Sequence, residues 1–333
     1  MDLKYVLKRG ALLAAANWPV VVVQFVAETT FQALLAVPII GAAILVAVLL
    51  GADLAALMRG SLRDMFTTIA SALMSEPVGL AAFILAFSLT LLGGSLLLFI
   101  VKGGTVEVML AANGAAGAIE RQPLTLEGLR GAARFSLKCF MDGCRRLHRS
   151  YIVLGAILMV VYAASVGGYV ALVVYGYRAT GRAVVAGWTV AAIAGAALVV
   201  WFTVVNFLYL LMQVAMAVES VGIMDGGRAV WRFVRQELRE LAGVFLVVFA
   251  LVVAALLAST LAWSGVGLIA FVPLIGIAVI PLQMAALVVR GVVFEYLGIT
   301  ALGAYVTLYA GHAQRRRAAT MAMPTVSPAS AQA

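Results

Sequence analysis

The chain has 333 residues, 65% of them hydrophobic and 11% charged, with a formal net charge of +9. An average soluble domain is about half apolar and about a quarter charged, so a chain this apolar cannot cover itself with polar side chains and needs lipid around it. Composition thus excludes a pair of soluble domains, and two cysteines, Cys139 and Cys144, exclude a disulfide framework.

Lys4, Lys8 and Arg9 precede an apolar run, as in a secretory signal. Asn17, Trp18 and Pro19 interrupt that run, and the apolar stretch resumes far beyond signal-peptide length, so an uncleaved start is expected. A helix crosses the hydrocarbon with about 20 apolar residues. The first such stretch is 31–50, with 19–27 as an extension on its cytoplasmic side. The connection 52–76 carries Leu54, Leu57, Leu62, Phe66, Ile69 and Leu73 at helical spacing, which predicts an amphipathic helix on the outer surface. The second span is 78–101, with Pro77 at its start, where a missing N–H costs nothing. The third is 151–175, the fourth 185–217 and the fifth 241–263. The sixth is 267–289, with kinks expected at Pro273 and Pro281. A further apolar stretch, 296–309, is short for a span: it either packs back against the bundle or lengthens the sixth helix. The segment 314–333, with Pro324, Ser327, Pro328 and Ser330, reads as a disordered tail behind a single domain, 1–313. The fold class is all-α: a polytopic transmembrane helix bundle of about six spans with amphipathic interfacial helices.

Orientation follows from the basic residues. One set of segments holds Lys4, Lys8 and Arg9, then Lys102 to Arg149, then Arg228 to Arg239, then Arg315, Arg316 and Arg317. The opposite connections hold only Arg59, Arg63, Arg178 and Arg182. Both termini are therefore expected on the cytoplasmic side of the inner (plasma) membrane. The positive charge then reflects topology and anionic lipid at that face, not nucleic acid.

The two large basic segments resemble each other. Thr125 can cap a helix with Arg130, Arg134 and Lys138 on one face and Leu126, Leu129, Ala133, Leu137 and Phe140 on the other. Asp225 can cap one with Arg228, Arg232, Arg235 and Arg239 opposite Val230, Phe233, Val234, Leu238 and Leu241. Span, basic helix, span thus occurs twice in the same direction, 78–175 and 185–263, which suggests a parallel repeat. Arg130, Arg134, Lys138, Arg228, Arg232 and Arg235 are candidate contacts for anionic lipid. The plainer account is long side chains snorkelling to water with no specific ligand.

This layout, and the run Arg228-Ala-Val-Trp-Arg-Phe-Val-Arg after the turn from Glu219 to Gly227, resembles a broad group of uncharacterised six-span bacterial membrane proteins. These are similar to the membrane domain of glycerophosphodiester phosphodiesterases. The resemblance covers most of the chain and implies a six-helix fold in a bacterial inner membrane. It carries over no phosphodiesterase activity, which belongs to a soluble catalytic domain that no part of this sequence resembles.

No catalytic constellation is present, and no cofactor is expected. Of Cys139, Cys144 and His148, helical spacing puts only the last two on one face, while a structural zinc site wants four ligands. There is no serine with a convincing base and no GxxxxGK[ST] loop. Polar residues in the spans are more informative, because burying them in lipid is costly. Gln24, Glu28 and Gln32 recur every four residues on the first helix. Lys102-Gly103 precedes Glu107 on the second as Arg290-Gly291 precedes Glu295 on the sixth, and Glu219 ends the fourth. We expect Lys102, Glu107, Glu219, Arg290 and Glu295 to converge on one polar pocket at the cytoplasmic edge. The alternative is that each head reaches water independently. Gly93, Gly94, Gly167 and Gly168 read as helix-packing positions. Three roles stay open: first a structural or assembly-type membrane protein, then a permease for a small or lipid-like solute, then an intramembrane enzyme acting on lipid head groups.

Overall fold

A computed structural model describes residues 3–50, 71, 74–121, 123–179, 184–270 and 275–322. Among these the chain is helical, with no strand. The helices are α1 (Leu3–Ala16), α2 (Trp18–Leu50), α3 (Pro77–Ala115), α4 (Leu126–Ala132), α5 (Leu137–Ala179), α6 (Val184–Glu219), α7 (Ile223–Ala270) and α8 (Ile275–Ala322). Six of them, all but α1 and α4, are long and apolar enough to cross a bilayer. The amphipathic helix expected at 52–76 lies almost wholly outside the described residues.

The spanning helices outrun the membrane. The 48 residues of α7 and of α8 are each about 72 Å long at 1.5 Å per residue, against ~30 Å of hydrocarbon. The excess projects at the end that carries most of the basic residues, called here the basic end. The core forms there, where Leu13, Met109, Tyr151, Leu211, Met216, Phe233, Leu241 and Tyr309 are fully buried. Phe207 stacks edge-on against Phe245 and Tyr305, and Phe233 against Tyr309, tying α6, α7 and α8 together. Along the spans, by contrast, at most 22% of the most apolar stretch of any helix is buried. The physics differs at the two levels. Water drives apolar burial where the helices protrude, whereas lipid tails are as apolar as leucine and exert no such drive.

Helix α1 is threaded into this core rather than lying on its surface. Val6, Leu13 and Ala14 are buried, and the helix crosses α8 almost backbone to backbone. A Cβ added at Gly10 would meet Thr300 O at 2.6 Å and Ala304 N at 2.7 Å, and Gly303 faces the same crossing. Fully buried Asn17 then joins α1 to α2 and holds a distant break. Its Nδ2 donates to Leu13 O and Ala132 O, both at 3.0 Å, while Oδ1 accepts from Arg134 N at 2.8 Å and Phe135 N at 3.0 Å.

Several expectations change in detail. Helix α2 takes in both the expected first span, 31–50, and its extension at 19–27, because the polar positions Gln24 and Glu28 find partners without breaking the helix. The first basic segment is not one helix. Thr125 Oγ1 caps α4 by accepting from Gly128 N, but the chain leaves the helix at Ala133, where Asn17 takes the backbone donors of residues 134 and 135. Arg130, Arg134 and Lys138 therefore do not share a helical stripe. The second basic segment is helical and continuous with its span, broken only at Glu237 (φ −119°, ψ 25°). Asp225 lies in its first turn and pairs with Arg228 at 3.2 Å.

The described part of α8 begins at Ile275, the kink expected at Pro273 lies outside the described residues, and the expected start of the sixth span at 267 belongs instead to α7, which runs on through Ala270. Gly265 and Gly267 do not stop it, because open backbone in hydrocarbon costs more than glycine in a helix. Residues 296–309 lengthen α8, which continues through Ala322 and takes in the first part of the expected tail. Arg315 and Arg316 anchor that extension to acidic partners.

Candidate functional site

Polar side chains at the basic end gather in three places, each on different helices. The first is a groove between α2 and α8. Phe25 fills the gap opposite Gly291, where an added Cβ would lie 2.4 Å from the ring. Both residues line a 570 Å³ cavity between the two helices. Glu28, Thr29, Gln32, Arg290 and Glu295 provide its polar wall, and Met284, Leu287, Val288 and Phe294 its apolar wall. The Glu28 and Glu295 side chains, from α2 and α8, thus face the same cavity. Lys102 Nζ approaches Glu28 at 3.9 Å, and Gln24, buried behind, donates to Glu28 at 3.3 Å while accepting from Thr105 at 3.3 Å. Arg290 is exposed, lies over the Phe294 ring at 5.8 Å, and has no carboxylate partner among the described residues.

The second place joins α3, α5 and α6. Arg146 pairs with Glu107 and also donates to Ala217 O at 3.4 Å. One turn further along α5, Tyr151 donates to Gln213 O at 2.8 Å. The third joins α6, α7 and α8. Tyr309 donates to Glu219 at 2.7 Å, with Arg316 at 3.4 Å from the same oxygen. At the break in α7, Glu237 accepts from Arg315 at 2.7 Å, and the buried His312 ring lies 3.4 Å away, edge-on to Phe233. A 340 Å³ hollow borders this cluster, lined by Glu219, Val221, Ala313, Arg316, Arg317 and Met321.

The five residues expected to share one pocket are thus distributed. Lys102, Arg290 and Glu295 surround the groove through Glu28. Glu107 turns to Arg146 and Glu219 to Tyr309 and Arg316. The division follows from helix neighbours: α3 packs on both α2 and α5, and a five-residue spacing places Lys102 and Glu107 on different sides of it. No family model, no curated protein and no solved structure matches the chain. The site therefore rests on its own geometry.

Arg130, Arg134, Lys138, Arg228, Arg232 and Arg235 are all exposed, and Arg235 lies over Trp231 at 5.4 Å. Trp231 and Leu238 are exposed beside these arginines, so the first part of α7 presents an apolar and cationic face together.

Two anchors have no sequence signal. Arg9 is buried and donates to Glu120 at 2.8 Å, to Gly117 O at 2.6 Å and to Asn113 Oδ1 and O at 2.9 and 3.0 Å, while Lys8 donates to Glu120 O at 2.7 Å. Burial works to raise the Glu120 pKa, but hydrogen bonds from its own backbone and from Arg9, with the nearby Tyr5 hydroxyl, outweigh it and hold the carboxyl below its ordinary value.

Proposed function

We propose that this chain is a multi-pass protein of the inner membrane, with both termini in the cytoplasm, that carries or hands on a lipid-like amphiphile through the α2–α8 groove. The observation that supports it is the mixed lining of one 570 Å³ cavity, with Glu28, Arg290 and Glu295 against Met284, Leu287, Val288 and Phe294. An amphiphile matches such a wall end for end, since its head finds charge partners while its chain stays among apolar side chains. The excess of Lys and Arg at the basic end supports the orientation, which sets the groove's charges near the cytoplasmic edge of the bilayer.

Native mass spectrometry of the purified protein tests the reading. Wild type retains an amphiphile, and Val288→Trp, which fills the cavity, lowers its occupancy about tenfold or more, some 1.4 kcal/mol. Val160→Trp on the lipid-facing side of α5, where Val160 is 68% exposed, leaves it unchanged. Equal retention by both variants counts against the groove.

A structural, assembly-type role is the second reading. The observation that favours it is the sparse burial along the spans, which leaves intramembrane faces open to partner helices as well as to lipid. A defined protein partner cross-linking along the spans, with no amphiphile retained, would make it the better account.

A further inference from the structure

Building on the proposed groove, we infer that its ligand is a two-chain phospholipid with a primary ammonium in its head, and that the lipid straddles α8 at Arg290. The first observation is that two hollows meet at this residue. On one side lies the α2–α8 cavity; on the other a 290 Å³ apolar hollow between α7 and α8, lined by Ala255, Ala258, Ser259 and Ala286 among others. Leu287, Arg290 and Phe294 line both, so one ridge of α8 separates two hollows, one of mixed lining and one apolar, that share a single cationic rim.

The second observation is the charge pattern. Arg290 faces this rim with no carboxylate partner among the described residues, whereas an arginine in or near hydrocarbon ordinarily pairs with an anion. A phosphodiester supplies that anion, and the planar guanidinium suits its geometry. In the α2–α8 cavity on the other side of Arg290 stand the Glu28 and Glu295 side chains, with Lys102 Nζ 3.9 Å from Glu28. They suit an ammonium placed a few bonds beyond the phosphate. A primary ammonium donates three hydrogen bonds, for which the Glu28, Glu295, Thr29 and Gln32 side chains lining the cavity offer acceptor oxygens, while a quaternary ammonium donates none.

Competition on the wild-type protein tests this without any variant. The protein is exchanged into micelles holding equal amounts of phosphatidylethanolamine, phosphatidylcholine and phosphatidylglycerol with identical chains, plus lysophosphatidylethanolamine, and bound lipid is read by native mass spectrometry. The expected result is a preference of about tenfold or more for phosphatidylethanolamine over each of the other three. Glu295→Gln should remove the preference over phosphatidylglycerol while lipid is still bound, and Arg290→Gln should weaken all phospholipids about tenfold. Equal retention of the diacyl head groups overturns the ammonium assignment and leaves the groove reading standing. Equal retention of the lysolipid overturns the straddling geometry. Absence of any bound lipid in wild type overturns both the assignment and the groove.

Discussion

Arg9 Nη1 and Glu120 Oε2 lie 2.8 Å apart across 111 residues of sequence, with both side chains less than a tenth exposed. This pair, with the Asn113 and Gly117 contacts, clamps α1 to the C-terminal end of α3 and the turn that follows it. Removing one partner leaves a buried charge, so Arg9→Ala or Glu120→Ala should each cost roughly 3–5 kcal/mol, and the paired change Arg9→Met with Glu120→Leu should cost less than either. Thermal unfolding in detergent checks the order.

The same pair makes stability acid-sensitive. The folded Glu120 carboxyl titrates below its ordinary value. Its contribution is complete above the unfolded carboxylate pKa and is lost as pH falls through the depressed folded value. Glu120→Gln should flatten this part of the acid limb, measured as melting temperature from pH 7 downward.

The Asn17 bridge gives a local prediction. Asn17→Leu leaves the buried Ala132 O and the half-buried Arg134 and Phe135 N–H groups without their side-chain partner, at about 1–3 kcal/mol for the buried carbonyl and less for the two N–H groups that water can reach. Protease cleavage should rise between α4 and α5 before it rises elsewhere. A uniform loss of stability without that local cleavage would show that Asn17 does not hold the break.

The α1–α8 crossing depends on glycine. Gly10→Ala places a Cβ 2.6 Å from Thr300 O and should cost about 1–3 kcal/mol. Gly93→Ala, in α3 with nothing within 4 Å of the added atom, should be neutral or stabilising by up to ~1 kcal/mol. Equal effects at the two sites would remove the crossing from the account.

Much of this was legible in the sequence, for a physical reason. Composition and twenty-residue apolar runs identify the spans, because lipid tolerates little else. The four-residue recurrence of Gln24, Glu28 and Gln32 marked the α2 wall of the groove, and Arg290-Gly291 the α8 wall. What the sequence concealed was partnership. Glu28 and Glu295 come from opposite ends of the chain, Glu237 and His312 lie 75 residues apart on two helices, and nothing local in Glu120 distinguishes it from any polar turn residue. The protruding core was also hidden, because buried helix faces below the membrane and lipid-facing ones within it are written in the same apolar residues. That ambiguity is why residues 296–309, buried among α1, α3 and α6, read equally well as a stray interfacial piece.

The orientation has its own check. On a background without Cys139 and Cys144, a cysteine replacing Thr180 should react with a membrane-impermeant reagent only from outside, and one replacing Lys138 only after the membrane is opened. The reverse pattern would invert the proposed topology and set the groove in the outer leaflet.

The most direct measurement of the groove itself is photo-cross-linking with a phospholipid carrying a photoreactive group in one acyl chain, followed by peptide mapping of the labelled protein. The account predicts labels concentrated on α2 at 25–32 and α8 at 284–294, and their loss in Val288→Trp. Labels spread evenly over the exposed faces of α2, α3, α5 and α6, and unchanged by that substitution, would contradict it.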